Sequence, residues 1–191
     1  MGLVIVQGMA CLGKSSLCRK LKDDLPDCEV VSVDKYKEML WDKFGFDSVK
    51  ERDLLSVCAR IIAYCNVNAV IKDKKWVLFE YPFTPYLWKE LNLWCIQDLE
   101  KAPKTIYLRP VNLLKHKLVW ERRSRDFSVR HPGHGATWYH DGEGGDYVNR
   151  YDSKVFESMP TTQRCLSIDV DFEPYSLSIP YEEILQFVKE D

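Results

Sequence analysis

The first residues, Gly2-Leu3-Val4-Ile5-Val6-Gln7, form an unbroken apolar run closed by an amide. That pattern predicts a strand buried on both faces of a parallel sheet. Lys14 to Leu25 then places Leu17, Cys18, Leu21 and Leu25 at helical spacing before Pro26 ends the pattern. A second strand is expected over Glu29 to Val33, ending at Asp34, and a third over Trp76 to Glu80. Between them, Tyr36 to Phe44 and Ser48 to Ile71 read as helices parted by Gly45, and Ser48 with Glu51 three residues on is a capping box. Pro85 to Leu99 predicts a helix, Thr105 to Leu108 a fourth strand, and Asn112 to Arg125 a helix capped by Asn112. Cys165 to Val170 and Tyr181 to Lys189 give a fifth strand and a closing helix.

Strands that alternate with helices imply a parallel sheet with right-handed crossovers, so the expectation is a three-layer α/β domain with a five-stranded parallel sheet. Between Asp126 and Asn149 both periodicities vanish, and Gly133, Gly135, Gly142, Gly144 and Gly145 crowd together with three histidines. A stretch of that length inside a compact domain predicts a mobile lid, over about 123–150. The 191 residues fit a single domain, and 46% hydrophobic with 29% charged residues is globular composition. No uninterrupted apolar run approaches the roughly 20 residues of a membrane helix. The amino terminus has none of the marks of a secretory signal, so the expected location is the cytoplasm. Seven cysteines without a C-x-x-C pair read as reduced thiols, mostly packed. A net charge of −2 speaks against wrapping a long polyanion.

Gly8-Met9-Ala10-Cys11-Leu12-Gly13-Lys14-Ser15 fits G-x-x-x-x-G-K-[ST], and it lies where that motif must lie, after a strand and opening a helix. Glycines let backbone amides curl around phosphate oxygens, the helix start favours anions, and Lys14 reaches the β/γ-phosphates. Residues Gly8 to Ser15, with Ser16, are therefore expected to bind a nucleoside triphosphate, with Ser15 as a magnesium ligand.

Asp34, at the expected carboxyl end of strand two, is the candidate general base for an acceptor hydroxyl. Lys37, one helical turn on, points to the same side and could hold an anionic part of the acceptor. Glu80 ends an apolar strand in the manner of a Walker B acid, with magnesium through water or an acceptor hydroxyl as its partner. Tyr81, Phe83, Tyr86 and Trp88 could wall an acceptor pocket or belong to the core. Arg122, Arg123, Arg125 and Arg130, at a helix end and the start of the lid, suit a closing clamp on transferring phosphoryl oxygens. His131, His134 and His140 raise zinc, but their spacing matches no common zinc signature.

Together Gly8 to Ser16, Ser32-Val33-Asp34-Lys35-Tyr36-Lys37 and Arg130-His131-Pro132-Gly133-His134 resemble the AAA-type small P-loop kinases, the group that includes polynucleotide kinase and chloramphenicol phosphotransferase-like enzymes. The likeness runs over roughly residues 2 to 170. It implies a P-loop kinase fold, ATP with magnesium, Asp34 as base, and lid arginines on the transferred group, best matched by Arg125, with Arg122 one turn earlier. Where polynucleotide kinase has a phosphate-binding arginine three residues after its aspartate, this chain has Lys37, which disfavours a nucleic-acid acceptor. Glu80-Tyr81-Pro82 also departs from the Glu-Arg-Ser of deoxynucleoside kinases. The expected reaction is transfer of a γ-phosphoryl group to a small hydroxylated acceptor. The alternatives are a nucleic-acid kinase acting on a 5′-hydroxyl or modified base, and a regulatory ATPase. The nucleotide base is expected near Asp171 to Pro174.

Overall fold

A computed structural model of the chain describes residues 2–96, 99, 101–124, 126, 131, 133–134 and 159–190. β1 (Gly2–Gln7) lies between β3 (Trp76–Glu80) and β4 (Lys104–Pro110), with β2 (Cys28–Ser32) outside β3. β5 (Arg164–Phe172) lies outside β4, and the order is β2-β3-β1-β4-β5-β6. β1 to β5 pair in parallel, whereas β6 (Tyr175–Leu177) turns back antiparallel on β5, so the sheet is six-stranded and mixed rather than five-stranded and parallel. A three-residue strand carries too little sequence for period-2 alternation to reveal it.

Side chains alternate across the sheet, so each strand feeds two cores. Val4 and Val6 of β1 pack with Leu17, Cys18 and Leu21 of α1 (Lys14–Asp24) and with Ile184 and Val188 of α6 (Tyr181–Lys189). Leu3 and Ile5 face Ala63, Tyr64 and Val67 of α3 (Val49–Val70). By length and composition α3 could cross a membrane. It packs its Ala63, Tyr64 and Val67 face against the sheet and carries Arg52 and Arg60. Its start shows the expected cap: Ser48 Oγ accepts from Glu51 N at 3.2 Å, and the Glu51 carboxylate accepts from Asp47 N at 2.8 Å.

Two boundaries differ from the sequence reading. β2 stops at Ser32 and α2 (Val33–Phe44) begins at once, so Asp34 lies in the first turn of a helix and not at a strand end. Val33 is fully buried, which fixes the turn against the core. The helix expected to Leu99 ends as α4 (Pro85–Leu91), followed by a π-helical turn at Asn92–Ile96. α5 (Leu113–Ser124) is capped as expected, Asn112 Oδ1 accepting from Leu114 N and Lys115 N at 3.0 Å each. Most of the predicted lid, including Arg125, Arg130 and His140, lies outside the described residues.

Candidate active site

The register sets Val6, Glu80 and Ser32 side by side at the carboxyl ends of β1, β3 and β2. Loops and helices that leave those ends share one crevice, which is where open α/β sheets bind ligands. The loop after β1 is bent into a cradle by three left-handed residues, Gly8 (φ 138°), Cys11 (φ 70°) and Gly13 (φ 83°). A Cβ on Gly8 would stand 2.5 Å from the Leu108 carbonyl oxygen, so the loop needs its glycine both for φ and for space. Lys14 Nζ reaches back over the loop to donate to Met9 O at 2.6 Å. Burial lowers the Lys14 pKa from its ordinary value, against the pull of Asp34 and Glu80 in the opposite direction.

Two further contacts hold this loop. His116 of α5 is buried and its Nε2 donates to Ala10 O at 2.8 Å, with burial pulling its pKa down. Tyr175 of β6 donates from its hydroxyl to Leu12 O at 3.3 Å and lies against Gly13. The sequence reading assigned neither a role; His116 sits inside a helical apolar pattern, and its only signal was being a polar residue there.

Ser15, one residue into α1, donates from Oγ to Glu80 Oε1 at 3.1 Å. Glu80 is 7% exposed, and its second oxygen is buried without a hydrogen-bond partner among the described residues. A buried carboxylate oxygen left unpaired beside a hydroxyl is a costly arrangement that a cation would relieve, so the donor set fits magnesium. Among the described residues no group of three His, Cys, Asp or Glu side chains is placed to hold a metal ion.

The crevice has a volume of about 330 Å³, within the range of small-molecule sites. Lys14, Ser15 and Arg19 line it on the α1 side, Asp34, Lys35 and Glu38 on the α2 side, and Glu80, Tyr81, Arg123 and His134 complete it. Asp34 therefore shares the cavity with the phosphate loop. Burial pushes its carboxyl up, but Lys37, His134 and Lys14 together outweigh that and hold it below the ordinary value.

Lys37 is not among the residues that line the cavity. Its ammonium is turned inward, 3.2 Å from Asp34 Oδ1 and 2.6 Å from the Tyr81 hydroxyl, with 13% of the side chain exposed. Burial opposes its charge, and Tyr81 with Asp34 more than restores it, so its pKa is raised. Of the four aromatics considered for the acceptor wall, Tyr81 lines the cavity, Phe83 is fully buried in the core, Trp88 is partly buried against that core, and Tyr86 is exposed. At the end of α5 it is Arg123 that borders the cavity; Arg122 is exposed and is not among the lining residues.

His131 and His134 are both fixed on α2. His131 Nε2 lies 2.9 Å from Asp42 Oδ1, and His134 Nε2 lies 2.7 Å from Glu38 Oε1. Their rings flank Trp41, with centroids 5.4 and 5.1 Å away, and Arg52 Nε donates to Gly133 O at 3.0 Å. A Cβ on Gly133 would meet Trp41 at 2.5 Å. Glu38 was missed in the sequence, although Asp34 and Glu38 stand four apart and so share a helix face.

Solved structures share this architecture. A "putative kinase" from Chloroflexus aurantiacus J-10-fl superposes with a TM-score of 0.69 at 21% identity, over 98% of this chain and 96% of that one. The fold is P-loop kinase-like. The tunicamycin resistance protein of Deinococcus radiodurans follows with a TM-score of 0.55 at 12% identity, over 98% and 92%. At these identities the likeness speaks to the fold alone. No family model matches the chain, and no curated protein matches it either.

Proposed function

We propose that this P-loop kinase-like protein is an ATP-dependent phosphotransferase that moves the γ-phosphoryl group to a hydroxyl of a small acceptor. The observation that carries the reading is that Asp34 and the Lys14 phosphate loop line one cavity. Backbone amides of Gly8 to Ser16 and the start of α1 receive the phosphates, and Lys14 reaches the β/γ-oxygens. Ser15, with Glu80 through water, would hold magnesium, which supplies charge neutralisation on the β- and γ-phosphates.

On the opposite wall the Asp34 carboxylate accepts a hydrogen bond from the acceptor hydroxyl and aims its oxygen at the γ-phosphorus. That oxygen bonds to phosphorus, the bond from phosphorus to the β–γ bridging oxygen breaks, ADP leaves, and the hydroxyl proton passes to Asp34. Arg123, with Arg125 and Arg130 of the expected lid, supplies guanidinium donors to the transferring oxygens. ATP as co-substrate and seven free thiols fit a cytoplasmic protein.

The test is ATP turnover with magnesium against two pools, one of nucleosides, sugars and amino alcohols, the other of oligonucleotides with free 5′-hydroxyls, with phosphorylated product detected by mass. Product in the small-molecule pool is expected. Product only from oligonucleotides would move the assignment to a nucleic-acid kinase, and none from either would leave a regulatory ATPase.

A further inference from the structure

The wall of the cavity that faces the phosphate loop is rich in hydrogen-bond acceptors. Asp34 and Glu38 project from one face of α2, and both line the cavity. Among the described residues no donor reaches Asp34 Oδ2 or Glu38 Oε2. The one contact to Glu38 comes from His134, whose Nε2 must be the donor because a carboxylate only accepts. Lys37 Nζ donates to Asp34 Oδ1 and to the Tyr81 hydroxyl.

The placement is built, not incidental. His134 is 7% exposed and is held edge-on to Trp41, in a turn whose Gly133 admits no side chain and whose carbonyl is held by Arg52. The cations on the phosphate-loop side of the cavity, Lys14 and Arg19, match the negative charge of a triphosphate, as does Arg123 at the end of α5. Among the described residues, the α2 side of the cavity offers Asp34 and Glu38 as acceptors, with His134 beside them.

We infer that Glu38 and His134 complete an acceptor subsite beside Asp34 that selects a polyol or amino polyol over acceptors bearing a carboxylate or phosphate. The inference rests on the phosphotransferase reading and gives it a substrate class. One hydroxyl of the acceptor meets Asp34 and is phosphorylated; a second hydroxyl or an ammonium donates to Glu38, which His134 holds in place. A carboxylate or phosphate set there would face two carboxylates and be repelled. Phosphoryl transfer is unchanged in its bonds by this second contact, which positions the acceptor.

The experiment compares polyols and amino polyols with alcohols of similar size that carry a carboxylate or phosphate, at fixed Mg-ATP, on wild type and Glu38→Gln. Transfer to the uncharged and cationic set is expected, with the acceptor KM of E38Q raised about tenfold or more, its ATP KM unchanged, and its melting temperature within a degree or two of wild type. Transfer confined to carboxylate- or phosphate-bearing alcohols overturns the inference and leaves the phosphotransferase standing. So does an acceptor KM for E38Q within twofold of wild type. No product from any acceptor removes the phosphotransferase reading and this inference with it.

Discussion

Ser15 Oγ donates to Glu80 Oε1 at 3.1 Å, joining the first turn of α1 to the end of β3. The pair links the phosphate loop to the acid at the floor of the cavity, and the second Glu80 oxygen is left buried and unpaired among the described residues. Glu80→Gln keeps the shape and removes the charge that attracts a divalent ion. The magnesium concentration for half-maximal turnover should rise about tenfold or more, with the fold intact. A magnesium titration of turnover checks this, and an unchanged midpoint would remove Glu80 from the metal site.

Lys37 stabilises the charged form of Asp34, whose carboxyl lies below its ordinary value. A depressed carboxyl stays ionised until the pH falls through its lowered value, so wild-type turnover should show no acid limb from Asp34 above about pH 4. Lys37→Met leaves burial, which raises the carboxyl, less opposed. The acid limb should then move to higher pH, and a pH–rate profile of both proteins measures it. Asp34→Asn should abolish transfer while ATP affinity stays nearly intact.

Gly133 is in contact distance of Trp41, where an added Cβ would lie 2.5 Å from an indole carbon. Gly133→Ala forces the turn away from α2 or distorts the indole, at a cost of about 1–3 kcal/mol. Thermal melting should drop by several degrees. If the turn lifts, acceptor KM should rise with it, because His134 rides on the same turn.

Arg60 donates to Glu90 through Nε at 2.9 Å and through a terminal nitrogen at 3.3 Å, tying α3 to α4. Burial raises the Glu90 carboxyl, but bonds from Arg60 and Tyr86 outweigh it, so its pKa is lowered. A lowered carboxyl contributes stability that is present above its unfolded value, near 4.3, and is lost as pH falls through the folded one. Arg60→Ala should cost about 1–3 kcal/mol at neutral pH and flatten the loss below about pH 4. Melting curves from pH 7 down to 3 test both parts.

Much of the cavity was legible in the chain because its signals are local. Gly8 to Ser15 is a continuous motif, and β1 and α1 on either side of it show their periods within a dozen residues. Asp34 and Lys37 were readable as neighbours because helical spacing links them. Reading Asp34 as a strand end failed because only the burial of Val33 against the core decides where β2 stops and α2 begins.

What tertiary structure decided are contacts between distant segments. His116 to Ala10, His134 to Glu38 and Ser15 to Glu80 join residues 106, 96 and 65 positions apart. β6 exists through its pairing with β5, and Lys37 meets the hydroxyl of Tyr81, 44 residues on. The sequence by itself determined the phosphate loop and the alternation of strands and helices, since periodicity and motif are written within a few turns of chain. Which side chains meet across the cavity depends on loop closure and on the space left by packed neighbours, and no short window of sequence holds that information.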